Sequence, residues 1–143
     1  MNIKVISYTT LRMIIGIFLV IHGFYNALFF SNFLNRLDHY FEKQDLFYND
    51  FLIATAPLVP FEEFILGALL ICGLFTKKVL YIATGLVLFF ASFVLKANTY
   101  GLGMIYVFIV FISLILLLKE EYNYFSVDTV INKKTTVSRD KLG

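Results

Sequence analysis

Leu11 to Phe30, LRMIIGIFLVIHGFYNALFF, is the stretch that decides the fold. Apart from Arg12 at its start and His22 within it, the run carries no basic or acidic side chain. As a helix rising about 1.5 Å per residue it is about 30 Å long, the thickness of a bilayer's hydrocarbon core. Its apolar part outlasts the roughly 7 to 15 residues of a signal-peptide core and contains no small-x-small cleavage site, so it reads as a retained span. Apolar residues follow one another without strand-like alternation, which makes the span helical.

Three further runs repeat the signal downstream. From Phe51 to Thr76 the only charges are Glu62 and Glu63, preceded by Pro57 and Pro60. A helix beginning near Leu58 puts Pro60 in its first turn, where a missing amide hydrogen costs little. Val79 to Leu95 is a third run, and the uncharged stretch Ala97 to Leu118 holds a fourth, starting near Leu102 after the Tyr100-Gly101 turn. Backbone groups in hydrocarbon must be satisfied within the segment, so spanning segments of this kind are helices. The expected fold is an all-α membrane protein, a four-transmembrane-helix bundle over residues 1–118. Its spans lie at about 11–30, 58–75, 79–95 and 102–118, with an outer loop 31–57 and a tail 119–143.

Composition agrees. Hydrophobic residues make up 59% of the chain and charged ones 15%, against about half and a quarter in soluble domains. Phe occurs 17 times and Trp not at all, so Phe, Leu and Ile must supply the bulk. A net charge of +2, spread over short loops and the tail, excludes a nucleic-acid partner. The single cysteine, Cys72, excludes an intrachain disulfide, a CxxC relay and a cysteine-based zinc site.

Basic residues near the span ends set the orientation. Lys4, Arg12, Lys77, Lys78, Lys119, Lys133, Lys134, Arg139 and Lys141 fall on one side, and Arg36, Lys43 and Lys96 on the other. Both termini and the Lys77-Lys78 turn are therefore expected in the cytoplasm and the first loop outside a cell (inner) membrane. The aromatic residues of that loop, Phe33, Tyr40, Phe41, Phe47, Tyr48 and Phe51, point to a short amphipathic helix at the interface. The tail shows no apolar period and is expected as a mobile end or a docking strap.

Ionisable groups at membrane depth are costly, about 2.5 to 3.5 kcal/mol on insertion scales, and each is a functional candidate. Arg12 opens the first span and is expected to anchor it by snorkelling to headgroups. His22 lies about 15 Å deeper. It is open to three readings: a neutral hydrogen-bonded histidine, a haem or metal ligand, or a proton carrier for a quinone. His39 lies outside the spans, so no haem and no tightly bound metal is expected. Helical rise places Glu63 and Asn26 at one level, with His22 a turn below and Lys96 able to bend inward, and these four with Arg12 make up the expected buried polar site. Glu62 serves as a helix start. Gly16, Gly23, Gly67, Gly73 and Gly85 read as close-packing positions.

The first span reads R-x3-G-x5-H-G (Arg12, Gly16, His22, Gly23) and the second E-x3-G-x5-G-L-F-T-K (Glu63, Gly67, Gly73, Leu74, Phe75, Thr76, Lys77). This pattern, over about Leu11 to Leu95, resembles the DoxX family of small four-helix membrane proteins. The resemblance marks Arg12, His22, Glu63 and Lys77, with Thr76 beside Lys77 in the cytoplasmic turn. It implies a membrane subunit of a quinone-linked redox system, with quinone as the ligand and other membrane subunits, or further copies of the chain, as partners. Family members often carry a basic residue shortly after the His-Gly pair. Asn26 stands there in this chain, so the glutamate's charge partner is either missing or moved to Lys96. The absence of any nucleophile, metal cluster or phosphate loop in the sequence keeps a second reading open, a non-catalytic scaffold or assembly subunit.

Overall fold

The computed structural model describes residues 2–42, 54–96, 100–131 and 133, without the side chains of Tyr40, Phe41, Phe93, Lys96, Tyr100 and Leu102. Every regular element among them is helical. Helix α1 spans Ile3–Leu28, α2 Phe30–Glu42, α3 Val59–Cys72, α4 Thr76–Lys96 and α5 Tyr100–Leu118, with 3-10 turns at Ala56–Leu58 and Glu120–Tyr122. Among the described residues one helix, α1 with its 26 residues, is long and apolar enough to cross a membrane by length and composition; Gly103–Leu118 is apolar but shorter.

The Asn2 side chain caps α1 by accepting the Lys4 N–H at 3.2 Å. The expected first span continued to Phe30, but α1 ends at Leu28 and the chain turns at Phe29. Neither glycine nor proline marks that turn; the pattern changes instead. From Phe30 the apolar residues recur at Phe30, Phe33, Leu34 and Leu37, one face of a helix, and Phe33 and Leu37 bury that face against Ala56, Val59 and Phe90. Phe33 is thus core. The side chains of Tyr40 and Phe41, and residues Phe47, Tyr48 and Phe51, lie outside the described residues.

Pro57 sits in the 3-10 turn and Pro60 in the first turn of α3, one residue from where the sequence starts that helix. Helix α3 packs along α1, and α4 along α5. Buried positions on α1 (Tyr8, Arg12, Ile15, Leu19, Gly23, Asn26) and on α4 (Leu80, Ala83, Val87, Ala91, Val94) step by three and four residues. That is the seam of helices packed nearly side by side. Between the seams the outer surface is apolar too: Ile14, Ile17, Ile21, Phe24, Ile65, Tyr81, Ile82, Leu88, Met104, Phe108 and Phe111 are exposed. A monomer in water rarely presents so much apolar surface.

Backbone contact holds α1 to α3. A Cβ on Gly67 would stand 2.6 Å from the Gly16 carbonyl oxygen, and one on Gly23 would stand 2.7 Å from the Phe64 nitrogen. Gly85 has nothing within 4 Å of a Cβ, so the packing role expected of it does not hold in this chain.

The end of the bundle near Lys4 and Lys77 is closed by residues of the tail, which the sequence left as a mobile end or a docking strap. Gly73 ends α3 in the left-handed region (φ 68°), its N–H donating to the Leu70 carbonyl, while the Leu74 N–H donates to that of Leu69. Phe75 is also left-handed (φ 50°), which costs a non-glycine residue about 1 to 2 kcal/mol. Asp128 fixes the turn: its carboxylate accepts the Phe75 N–H at 2.7 Å and the Thr76 N–H at 2.8 Å, and its own N–H donates to the Gly73 carbonyl at 3.1 Å. Asp128 thereby caps α4 from another part of the chain. Asp128→Ala is expected to lower stability by about 1 to 2 kcal/mol, read as a drop in the thermal midpoint in detergent; an unchanged midpoint would remove the capping role. Residues 134–143, including Ser138 and Lys141, lie outside the described residues.

Candidate functional site

The polar side chains the sequence grouped together separate into two clusters, at opposite ends of α1.

Arg12 belongs to the lower cluster. It is 2% exposed, so it does not snorkel. Its Nη1 donates to Asn123 Oδ1 at 2.6 Å and its Nη2 to the Phe125 carbonyl at 2.7 Å, while Nε has no partner. The guanidinium therefore ties the residues after α5 onto the bundle and takes no part in a site with His22. Thr76 begins α4 under Asp128. Lys77, exposed, pairs with Glu120 at 2.7 Å. That hydrogen bond, and the Glu120 charge behind it, raise the Lys77 ammonium above its usual range. A raised lysine stabilises the fold below its ordinary value and loses the contribution as pH climbs past it, above about pH 10. Assays near neutrality do not feel it.

The upper cluster is built on His22 and Glu63. Helix periodicity turns His22 and Asn26, four residues apart, to the same face of α1. The Gly23 contact with Pro60 and Phe64 brings the start of α3 against that face. Glu63 is 2% exposed and its Oε2 lies 2.7 Å from His22 Nδ1. Glu62, one residue earlier, is exposed. Asn26 Nδ2 stands 3.3 Å from each ring nitrogen of His22, and Asn26 Oδ1 accepts from Arg36 Nη2 at 2.6 Å. Tyr106 on α5 completes the ring of contacts, its hydroxyl 3.1 Å from His22 Nε2. With Nδ1–H given to the carboxylate, Nε2 is the acceptor and the tyrosine the donor. Phe18 stacks on the imidazole with ring centroids 5.6 Å apart.

These groups face a cavity of about 290 Å³. Tyr25, Phe33, Leu37, Val59, Phe90 and Val94 supply its apolar and aromatic wall, and His22, Asn26, Arg36, Glu63 and Tyr106 its polar side. The His22 side chain is 30% exposed. Small-molecule sites have this character, mostly apolar with a few converging polar groups, at the lower end of the usual roughly 300 to 1,000 Å³. Of the expected group, His22, Asn26 and Glu63 come together here. The Lys96 side chain lies outside the described residues; of the partners expected for the glutamate, Asn26, His22 or Lys96, His22 stands beside it. Two members are new, Arg36 and Tyr106. Arg36 counted only as a loop charge in the sequence, although a basic residue near the His-Gly pair was the expected feature; it arrives ten residues after Asn26, on α2. Among the described residues no group of three or more His, Cys, Asp or Glu could hold a metal ion.

No protein-family model, no curated protein and no solved structure matches the chain.

Proposed function

We propose that the chain is a four-span integral membrane protein, similar to the DoxX family, that binds a quinone as a subunit of a redox-associated membrane complex. The observation that carries this reading is the His22–Glu63 pair, its glutamate buried, facing a cavity walled mostly by aromatic and aliphatic side chains. A ring with two opposed oxygens needs flat apolar contact for its body and a few donors and acceptors for its oxygens. His22, Tyr106, Asn26 and Arg36 offer the latter. The chain contributes the binding and the proton-handling groups, and a partner subunit contributes the electron carrier.

In this reading α1, α3, α4 and α5 cross the membrane and the apolar outer surface faces lipid. Helix α3 alone rises about 21 Å, so its crossing is completed by the Ala56–Leu58 turn before it and the Gly73–Phe75 turn after it. Helix α2 lies in the outer interface with its apolar face over the cavity, and both termini are cytoplasmic, in a cell (inner) membrane. In a Cys72→Ser background, Asp38→Cys on α2 is expected to react with an impermeant maleimide in intact cells, and Glu121→Cys is not. The opposite labelling overturns the topology.

The ligand is tested by purifying the full chain in mild detergent and titrating it with a short-chain benzoquinone by calorimetry. Saturable binding that His22→Phe weakens roughly tenfold or more supports the site; binding indifferent to His22 removes it. The scaffold reading has its own support in the exposed Tyr124, Phe125, Val130 and Ile131 next to Asp128, outside the spans, where a partner subunit can dock. Protein subunits that co-purify with a chain unable to bind benzoquinone would favour it.

A further inference from the structure

We infer that the His22 cavity holds its ligand as an oxyanion: it takes an acidic ring hydroxyl, of the phenol or hydroquinone class, whose proton passes to His22 while the oxygen stays beside Arg36. The inference rests on the cavity reading above and specifies which form of the ligand it prefers. The distribution of donors and acceptors carries it. Glu63 Oε2 is engaged by His22 Nδ1, and Asn26 Oδ1 by Arg36. With the Tyr106 hydroxyl held on His22 Nε2, the donors left beside a ligand are the Asn26 amide and the remaining Arg36 nitrogens, against the second Glu63 oxygen as acceptor. Donors converging on one space stabilise a negatively charged oxygen, and charge-assisted bonds are about twice as strong as neutral ones.

Charge points the same way. Among the described residues, the titratable and charged groups that line the space are His22 and Tyr25 from α1, Arg36 from α2, Glu63 from α3 and Tyr106 from α5, while α4 contributes Phe90 and Val94. Glu63 opposes an anion and Arg36 favours it. In the transfer the ligand's O–H bond breaks, an N–H bond forms at His22 Nε2 as the Tyr106 O–H turns from that nitrogen toward the ligand oxygen, and the electron pair remains on that oxygen. The new imidazolium lies against the Glu63 carboxylate at 2.7 Å, so the two cancel and Arg36 is left as the net charge facing the oxyanion. No electron moves in this step.

Para-nitrophenol tests the inference, because its anion is coloured and its neutral form is not. With the full chain in detergent, the bound probe is expected to show the anion's absorbance at a pH about one unit or more below that at which it ionises in protein-free micelles, a tenfold change in the ionisation ratio. Arg36→Gln is expected to weaken binding of the probe, measured by equilibrium dialysis, and to return the ionisation of the bound fraction to the micelle value. A probe that binds saturably yet ionises as it does in micelles overturns the inference and leaves the cavity reading intact. So does binding of the short-chain benzoquinone by a chain that does not bind the nitrophenol. If neither binds, the cavity reading falls and takes the inference with it.

Discussion

Glu63→Gln is expected to weaken short-chain benzoquinone binding roughly tenfold or more while leaving thermal stability unchanged or raised, and Glu62→Gln is expected to change neither. Glutamine keeps the shape of the side chain and an oxygen for His22 Nδ1–H, but not the charge. At the 2.7 Å separation seen here, losing the charge removes about half the strength of the bond. It also removes the group that would stabilise a proton on the imidazole. Stability moves the other way because a carboxylate only 2% exposed carries a desolvation cost that an amide lacks, and replacing buried ion pairs by neutral groups is often neutral or favourable. Active sites commonly hold such strained choices. Calorimetric titration and thermal unfolding of the two variants beside the parent decide it. Equal behaviour at Glu62 and Glu63, or a Glu63→Gln chain that unfolds, would overturn the assignment.

The second large effect concerns the seam between α1 and α3. Gly23→Ala and Gly67→Ala are each expected to cost about 1 to 3 kcal/mol, the usual range for overpacking. The added methyl would meet backbone atoms that cannot rotate away: the Phe64 nitrogen at 2.7 Å in one case and the Gly16 oxygen at 2.6 Å in the other. Gly85→Ala is the control. Open space surrounds it, and alanine in a helix interior is worth up to about 1 kcal/mol over glycine, so that variant is expected to match or exceed the parent. Unfolding followed by circular dichroism in detergent distinguishes them, and three alanines with the same effect would sink the argument. Gly23→Ala should in addition weaken ligand binding, because its Cβ would also press on Glu63 Cβ at 3.1 Å.

Much of the architecture was legible because long apolar runs and their punctuation are local properties. The runs mark α1, α3, α4 and α5 to within a few residues at most ends, and Pro60 and Gly73 mark where α3 starts and stops. Helical rise alone brings Asn26, His22 and Glu63 near one level. Depth along an axis, however, does not fix rotation or crossing. Arg12 shares with His22 the face of α1 that is buried, yet ten residues of rise separate them by about 15 Å, and each found a different partner. Arg36 escaped because its contact with Asn26 depends on a turn at Phe29 that no glycine or proline announces. Tyr106 escaped because one hydroxyl within an apolar helix gives no period to read. Asp128 escaped because a cap normally precedes the helix it caps, and this one follows α4 by more than thirty residues of sequence.

The hold of Arg12 on Asn123 and Phe125 also orders events in time. The guanidinium leaves the ribosome with the first turns of α1, and its acceptors are translated 111 and 113 positions later. At roughly 5 to 20 residues per second the interval is on the order of ten seconds. Throughout it, the nascent chain carries a cation with no protein acceptor and an α4 whose first amides wait for Asp128. A chain interrupted before Asn123 therefore lacks the partners that hold the Arg12 guanidinium and the first amides of α4 in the complete one.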